Sequence, residues 1–336
     1  MSSASSGSFS NDRAVAGADA GTYLHPQTLA RLASIELRAK LIVEGVMNGM
    51  HRSPYHGFSV EFAQHRPYTA GDDLRHLDWK LLGRSDKLHL KQYEQETNLD
   101  LALLVDSSGS MNYGSRSYAS ASGTGDAASH RGSAVWTKYD HATATAAAIA
   151  FLAIRQGDRV GLGMFADKLF DAIDRSSARE QWRKIVRTLS VHPVEQGTDL
   201  PRVMDQTLGK LNNRCLIVLV SDFYTEPESI RVALARAKHR RHDVMLMQVV
   251  DEKELTFDLD GAAPFEGLEG EGRVRVDPRS IRSAYLEAIE THNAKVAKIA
   301  RSFGFDYHRL VTEDWLGPSL GAFMNRRAAM LKRRSV

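Results

Sequence analysis

From Leu99 onward the chain repeats one rhythm, a short apolar run followed by a helical pattern, and this constrains the fold more than any other feature. Leu99 to Val105 is a continuous apolar run, too short for a helix and suited to a strand buried on both faces. Cys215 to Val220 is a second such run, and Val244 to Val250 and Tyr307 to Val311 read as further strands. Arg159 to Phe165 and Leu169 to Ile173 also read as strands. Between them, helical spacing covers Asp140 to Arg155, Ala178 to Leu189, Asp199 to Leu211, Glu226 to Arg241 and Ile281 to Phe303. A last helix is expected from Trp315 to Leu331. Strands alternating with crossover helices imply an α/β fold of Rossmann-like, doubly wound type, with a mainly parallel sheet covered on both faces.

The expected organisation has a disordered tail over residues 1–23, an N-terminal segment over 24–98, and the α/β domain over 99–336. Residues 1 to 21 are rich in Ser, Ala and Gly and hold no apolar run, so they read as neither signal peptide nor anchor. His25 to Met50 reads as a helix, Gly57 to His65 and Lys87 to Glu94 as strands, and Arg66 to Lys80 as a polar connection. Glu254 to Val276 interrupts the strand–helix rhythm around a Gly-rich middle, so an inserted β-hairpin is expected within residues 252–280. Between the first buried strand and its helix, Asn112 to Lys138 has 15 Gly, Ser or Ala among 27 residues, a flexible loop starting at a strand's carboxyl end. In open parallel sheets that end is where ligands bind.

Composition excludes several classes. The lone Cys215 rules out an internal disulfide or a cysteine zinc site and fits a small core residue. Ala142 to Ile154 falls short of the ~20 residues a bilayer span needs, so no membrane span and a cytoplasmic location are expected. A net charge of +3 makes no case for nucleic acid. The basic end (Arg326, Arg327, Lys332, Arg333 and Arg334) reads first as a solvated helix terminus, with an acidic partner or nucleic acid as the alternative. His51, His56, His65, His76 and His89 match no zinc-ligand spacing. Gly161-Leu162-Gly163 lies inside a strand, which is the wrong place for a nucleotide fingerprint, and no Gly-x-x-x-x-Gly-Lys segment is present.

The chemistry concentrates after the first buried strand, in Asp106-Ser107-Ser108-Gly109-Ser110-Met111. Asp106, Ser108 and Ser110 supply oxygen side chains on one tight loop, which suits Mg²⁺, with Mn²⁺ as a substitute. Asp222 ends its strand as Asp106 does, and Thr198 precedes a helix on the same expected rim. Two carboxylates with three hydroxyls leave a coordination position for an outside ligand. Taken alone, Asp-x-Ser-x-Ser also fits a helix cap or a turn.

Asp106, Ser108, Ser110, Thr198 and Asp222 together resemble the metal-ion-dependent adhesion site of von Willebrand factor A domains. The resemblance implies a bound Mg²⁺ whose remaining position takes an Asp or Glu of a partner protein. A second resemblance rests on Gly57-Phe58-Ser59-Val60-Glu61-Phe62, Arg66-Pro67-Tyr68 and Gly71-Asp72-Asp73-Leu74-Arg75-His76-Leu77-Asp78-Trp79-Lys80. These resemble the signature of a bacterial family known as domain of unknown function 58, and the match runs from about Leu41 to Phe170. Members are often encoded beside MoxR-type AAA+ ATPases, which implies an adaptor role in protein remodelling or metal insertion. The long 112–138 loop departs from the family's shorter pattern. The signature segment serves either as a clamp on the A domain or as a partner surface, with Trp79 as its buried anchor. The sequence thus points to a non-enzymatic, metal-dependent protein-binding adaptor. The alternative is a metal-dependent hydrolase of phosphate esters, and a scaffold with a vestigial metal loop is a third reading.

Overall fold

The computed structural model describes residues 29, 34–51, 65–67, 69, 82–84, 88–91, 98–117, 135–190, 196–259, 263–270 and 272–334. Most of the signature segment, the tail, the histidine-rich stretch and the centre of the long loop lie outside the described residues. Two compact units are present, Met50–Asn98 and the rest of the chain. Within the smaller unit, strands β1 (His65–Pro67) and β2 (His89–Lys91) pair antiparallel. Arg66 and Pro67, expected in a polar connection, are thus part of a strand.

In the larger unit, helix α1 (Ile35–His51) precedes β3 (Asp100–Asp106), all of whose residues are buried. A short ribbon of β4 (Arg116–Ser117) and β5 (Val135–Trp136) then leads to α2 (Lys138–Arg155). The order continues through β6 (Arg159–Phe165), β7 (Leu169–Ser176), α3 (Arg179–Leu189), α4 (Leu200–Gly209), β8 (Leu216–Ser221) and α5 (Pro227–His239). After β9 (Asp243–Val250) and the short α6 (Glu252–Thr256) comes an antiparallel hairpin of β10 (Ala263–Glu266) and β11 (Arg273–Val276). The unit ends with α7 (Pro278–Ser302), β12 (Asp306–Val311) and α8 (Gly317–Arg334). Among the described residues, no helix is long and apolar enough to cross a membrane.

Six strands form the central sheet in the order β12-β9-β8-β3-β6-β7. All neighbouring pairs are parallel except β6 with β7. From β3 the chain winds outward to β6 and β7, then returns to lay β8, β9 and β12 on the other side. The winding direction therefore reverses between β3 and β8, and the crevice at their carboxyl ends is where such sheets bind ligands. Register fixes what meets there: Val105 lies opposite Val220, so the residues that follow each strand emerge side by side.

The apolar runs form strands because β3, β8 and β9 are buried along their whole length, with helices on both faces. The edge strand β7 is half exposed and irregular, with Asp171 at φ +44°, and it extends past Ile173 to Ser176. Gly161 and Gly163 are packing glycines: a Cβ on Gly161 would stand 2.9 Å from the Ile173 carbonyl, and one on Gly163 would stand 2.6 Å from Leu169 Cδ1. Side chains there would push β7 off the sheet.

Helix α2 starts at a capping box formed by Thr137 and Asp140, and nearly every residue of it is buried. Its alanines allow close approach on all sides, and Trp182 donates its indole N–H to the Ala147 carbonyl at 3.1 Å. The buried Arg38 guanidinium of α1 lies 4.9 Å over the Trp136 ring. The C-terminal helix corrects the reading of its basic end as solvated. Arg326 pairs with Asp243 at 3.0 Å and Asp306 at 3.3 Å, while Arg327 forks onto the fully buried Asp158. Both arginines are internal ties between α8 and the sheet, and the side chains of Lys332, Arg333 and Arg334 lie outside the description.

His141, in the first turns of α2, is 1% exposed and packs edge-on to Trp136. Burial lowers its pKa from 6.5 to about 4, opposed in part by a hydrogen bond with the Thr312 backbone and by Asp140. The folded state thus keeps this ring neutral while the unfolded chain takes up a proton below pH 6.5. Stability tied to His141 is complete above that value and is lost as pH falls toward 4, by up to about 3 kcal/mol. Urea denaturation between pH 7 and pH 4 should show a steeper loss for the native protein than for His141→Leu. Parallel pH profiles would contradict this assignment.

Candidate functional site

The site is built from the turns that follow β3 and β8 and from the segment before α4. Asp106 closes β3 and is fully buried. Its Oδ1 accepts the Ser108 N–H at 2.9 Å, the local bond that makes Asp-x-Ser fold back into a turn. Ser107 continues the sheet by donating its N–H to the Phe165 carbonyl at 2.8 Å. A 3₁₀ turn, Gly109–Asn112, follows, and Ser108 caps it by position but makes no side-chain cap bond. The Ser108 hydroxyl instead faces the Ser110 hydroxyl at 3.1 Å.

The Gly109 N–H donates to the Gln196 carbonyl at 3.2 Å, which ties this loop to the one carrying Thr198. Asp199 is used as the N-cap of α4, accepting from the Arg202 N–H at 3.1 Å, with Pro201 in the first turn. Thr198, one residue earlier, donates its hydroxyl to Asp106 Oδ2 at 3.4 Å. The same oxygen accepts the Ser221 hydroxyl at 2.5 Å across the β3–β8 boundary.

Asp222 is 2% exposed. Its Oδ1 accepts the Tyr224 N–H at 3.1 Å, and its Oδ2 accepts from Lys138 Nζ at 2.8 Å. The Lys138 ammonium, also buried, makes a second bond to Glu254 at 2.7 Å and lies 4.6 Å over the Tyr224 ring. Burial alone would lower its pKa, but Asp222 and Glu254 outweigh that effect and hold it above the ordinary lysine value. Glu254 is raised, because its own burial exceeds the pull of Lys138.

Between these residues Phe223 adopts φ +56°, a left-handed conformation that is unusual for a bulky side chain. The turn is held by several bonds at once. Ser221 Oγ accepts the Phe223 N–H at 2.9 Å, Gln248 Nε2 donates to the Asp222 carbonyl at 2.9 Å, and the His292 ring nitrogen meets the Phe223 carbonyl at 2.9 Å. Gln248 is bonded in turn to Asn293 of α7 and Tyr307 of β12. Such over-determination is what keeps a strained residue in place.

Asp106, Ser108, Ser110, Thr198 and Asp222 therefore lie together at one end of the sheet, and none of the five is left apart. Ser221 lies in the strand-end loop that the sequence offered with Asp222, whereas sequence reasoning did not single out Lys138, Glu254, Gln248 or Glu269. Lys138 carried one signal: a lysine in the first turn of a helix opposes the macrodipole and asks for an anionic partner. Glu254 carried only the capping-box pattern with Asp251, and Glu269 carried none, being a surface-type residue brought in by the insertion.

The donor set suits a hard cation. Two oxygens side by side on Mg²⁺, each about 2.1 Å from it, lie about 3 Å apart, which is the spacing of the two serine hydroxyls. The buried Asp106 carboxyl receives hydroxyl and amide donors while its pKa rises to about 7, through burial first and Asp222 second. Such a group gains from a positive charge beside it. Among the described residues, no three of His, Cys, Asp or Glu gather into a metal cluster. A cation here would be held by hydroxyls and water around two carboxylates. Asp106, Ser108, Ser110, Thr198 and Asp222 are the residues that fit it.

The Lys138 bridge gives a test of the site's charge balance. Lys138→Met leaves Asp222 and Glu254 buried and unpaired, and should cost ~3–5 kcal/mol of unfolding free energy near neutral pH. Chemical denaturation of both proteins measures this. A change below about 1 kcal/mol would show that the bridge does not balance the buried carboxylates.

With the geometry established, comparison with known proteins identifies the family. The family model described as "Protein of unknown function DUF58" matches residues 64–295. An uncharacterised protein of Mycobacterium tuberculosis and one of Mycobacterium bovis are each 28% identical over 313 residues, covering 91% of this chain and 92% of theirs. Among solved structures, the conserved hypothetical protein BatB from Bacteroides thetaiotaomicron aligns with 70% of this chain and 100% of its own, at 14% identity and TM-score 0.44. An aerotolerance-related membrane protein from Bacteroides fragilis aligns with 67% of this chain and 96% of its own, at 14% identity and TM-score 0.45. The match over residues 64–295 takes in the first buried strand, the Asp-Ser-Ser-Gly-Ser turn and both partner loops, and the chain belongs to the DUF58 family.

Proposed function

We propose that this chain is a non-enzymatic, metal-dependent adaptor of von Willebrand factor A type. In this reading Asp106, Ser108, Ser110, Thr198 and Asp222 hold a Mg²⁺, with Mn²⁺ able to replace it. The bound cation supplies a Lewis-acidic position for an Asp or Glu carboxylate of a partner protein. The partner we propose is a MoxR-type AAA+ ATPase, and the work served is remodelling or maturation of a protein complex.

One observation carries the reading. The fully buried Asp106 carboxylate is met by the Ser108 amide and by hydroxyls of Thr198 and Ser221, while the neighbouring lysine is committed to Asp222 and Glu254. A buried carboxylate without a cation is costly, so the site gains from a cation on its hydroxyl side. The remaining contacts support binding over turnover. Ser108 Oγ faces another serine hydroxyl, and among the described residues neither serine hydroxyl is paired with a base.

The test is a pull-down of a MoxR-type ATPase from the same genome, with Mg²⁺ or with EDTA. Capture should require Mg²⁺ and should fall at least tenfold in Asp106→Ala, whose fold is checked by thermal denaturation. Capture that survives both EDTA and the substitution would remove the metal from the mechanism.

A further inference from the structure

The β10–β11 hairpin does more than interrupt the strand–helix rhythm. It forms its own two-stranded ribbon, separate from the central sheet, and its tip comes back to the Asp106 loop. Glu269 at that tip accepts the Ser110 N–H on Oε1 at 3.2 Å, a bond between residues 159 positions apart. Its Oε2 stands 3.2 Å from where a Cβ on Gly197 would lie. One carboxylate thus lies against both loops that supply hydroxyls to the candidate site, the loop of Ser108 and Ser110 and the loop of Thr198.

The seat is closely fitted. A Cβ on Gly109 would fall 2.2 Å from the Leu268 carbonyl oxygen, so the glycine inside the Asp-Ser-Ser-Gly-Ser turn is what lets the tip approach. Gly270 at φ +93° and Gly272 at φ +90° form the turn, and the Gly267 N–H closes it on the Gly272 carbonyl at 2.8 Å. The hold is polar and local. Leu268 and Val274 are 40% and 58% exposed, so the tip does not depend on core burial. At the base, Phe257 stacks on Phe265 and on Tyr285 with ring centroids 6.1 Å and 4.2 Å apart. A lone two-stranded ribbon is marginal by itself, so the seating of this tip rests on its anchored base and its polar contact with the Ser110 amide.

We infer that Glu269 is an internal stand-in for the partner: its carboxylate occupies the seat at the mouth of the metal site that a partner's Asp or Glu must take. This rests on the metal-dependent reading proposed above and adds its regulation. The free protein is self-occupied, and a partner binds only as far as it displaces the hairpin tip. Apparent affinity for any outside carboxylate is then reduced by the fraction of molecules whose tip is seated. Selectivity follows as well, because a lone acidic residue competes poorly against a tethered one, while a partner with further contacts succeeds.

Acetate serves as the probe, titrated into Mg²⁺-saturated protein while the Ser110 amide is followed by NMR, with Mg²⁺ affinity measured separately by calorimetry. Relative to the native protein, Glu269→Ala should bind acetate at least tenfold more tightly. Glu269→Gln, which keeps the shape and loses the charge, should fall between them. Mg²⁺ affinity should fall in both variants, because a carboxylate seated at the open position also helps to hold the cation. Equal acetate affinity in all three Mg²⁺-loaded proteins would overturn the stand-in role and leave the adaptor reading intact. Failure of the native protein and both variants to bind Mg²⁺ would overturn the metal reading, and this inference with it.

Discussion

The parallel pairing of β3 with β8 sets Asp106 beside Ser221, and the next residue, Asp222, brings a second buried carboxylate close to the first in the middle of the sheet. Much of the surrounding construction answers that constraint. Lys138 is placed at the first position of α2, where the helix dipole disfavours it, because Asp222 and Glu254 hold it there. Asp106 receives neutral donors, and burial first and Asp222 second raise its pKa. Asp222 and Glu254 share the Lys138 ammonium, and Asp106 beside them is met by hydroxyl and amide donors.

The same constraint shapes the backbone. The turn after β8 holds Phe223 in a left-handed conformation, and the bonds that keep it so reach into Gln248 of β9 and His292 of α7. Gln248 is satisfied on both ends of its amide, by the Asp222 carbonyl and Asn293 on one side and by Tyr307 on the other. A buried amide with its partners supplied is rigid. The rim is thus fixed from behind by the sheet and α7, while the tip of the β10–β11 ribbon meets the Asp106 loop at Ser110.

What the sequence disclosed follows from how local each signal was. β3 and β8 were legible because strands buried on both faces read as unbroken apolar runs, and their observed limits differ by one residue from the pattern. The five oxygen-bearing residues were legible because each sits at a strand end or just before a helix, positions that periodicity locates. Lys138 and Glu269 were not, because their partners lie 84 and 159 positions away. Arg326 and Arg327 were misread for the same reason, their aspartates being 83 and 169 positions distant. The short α6 went unexpected although Asp251 and Glu254 form a capping box that its sequence spells out. The length of β7 escaped because an irregular, half-exposed edge strand has no clean alternation to follow.

The central claim is that Asp106, Ser108, Ser110, Thr198 and Asp222 form one cation site. Its most direct test is anomalous X-ray diffraction from a crystal grown with Mn²⁺. The account predicts a Mn²⁺ peak within about 2.3 Å of the Ser108 and Ser110 hydroxyl oxygens, on the hydroxyl side of Asp106. Peaks confined to other parts of the molecule, or none at saturating Mn²⁺, would contradict it.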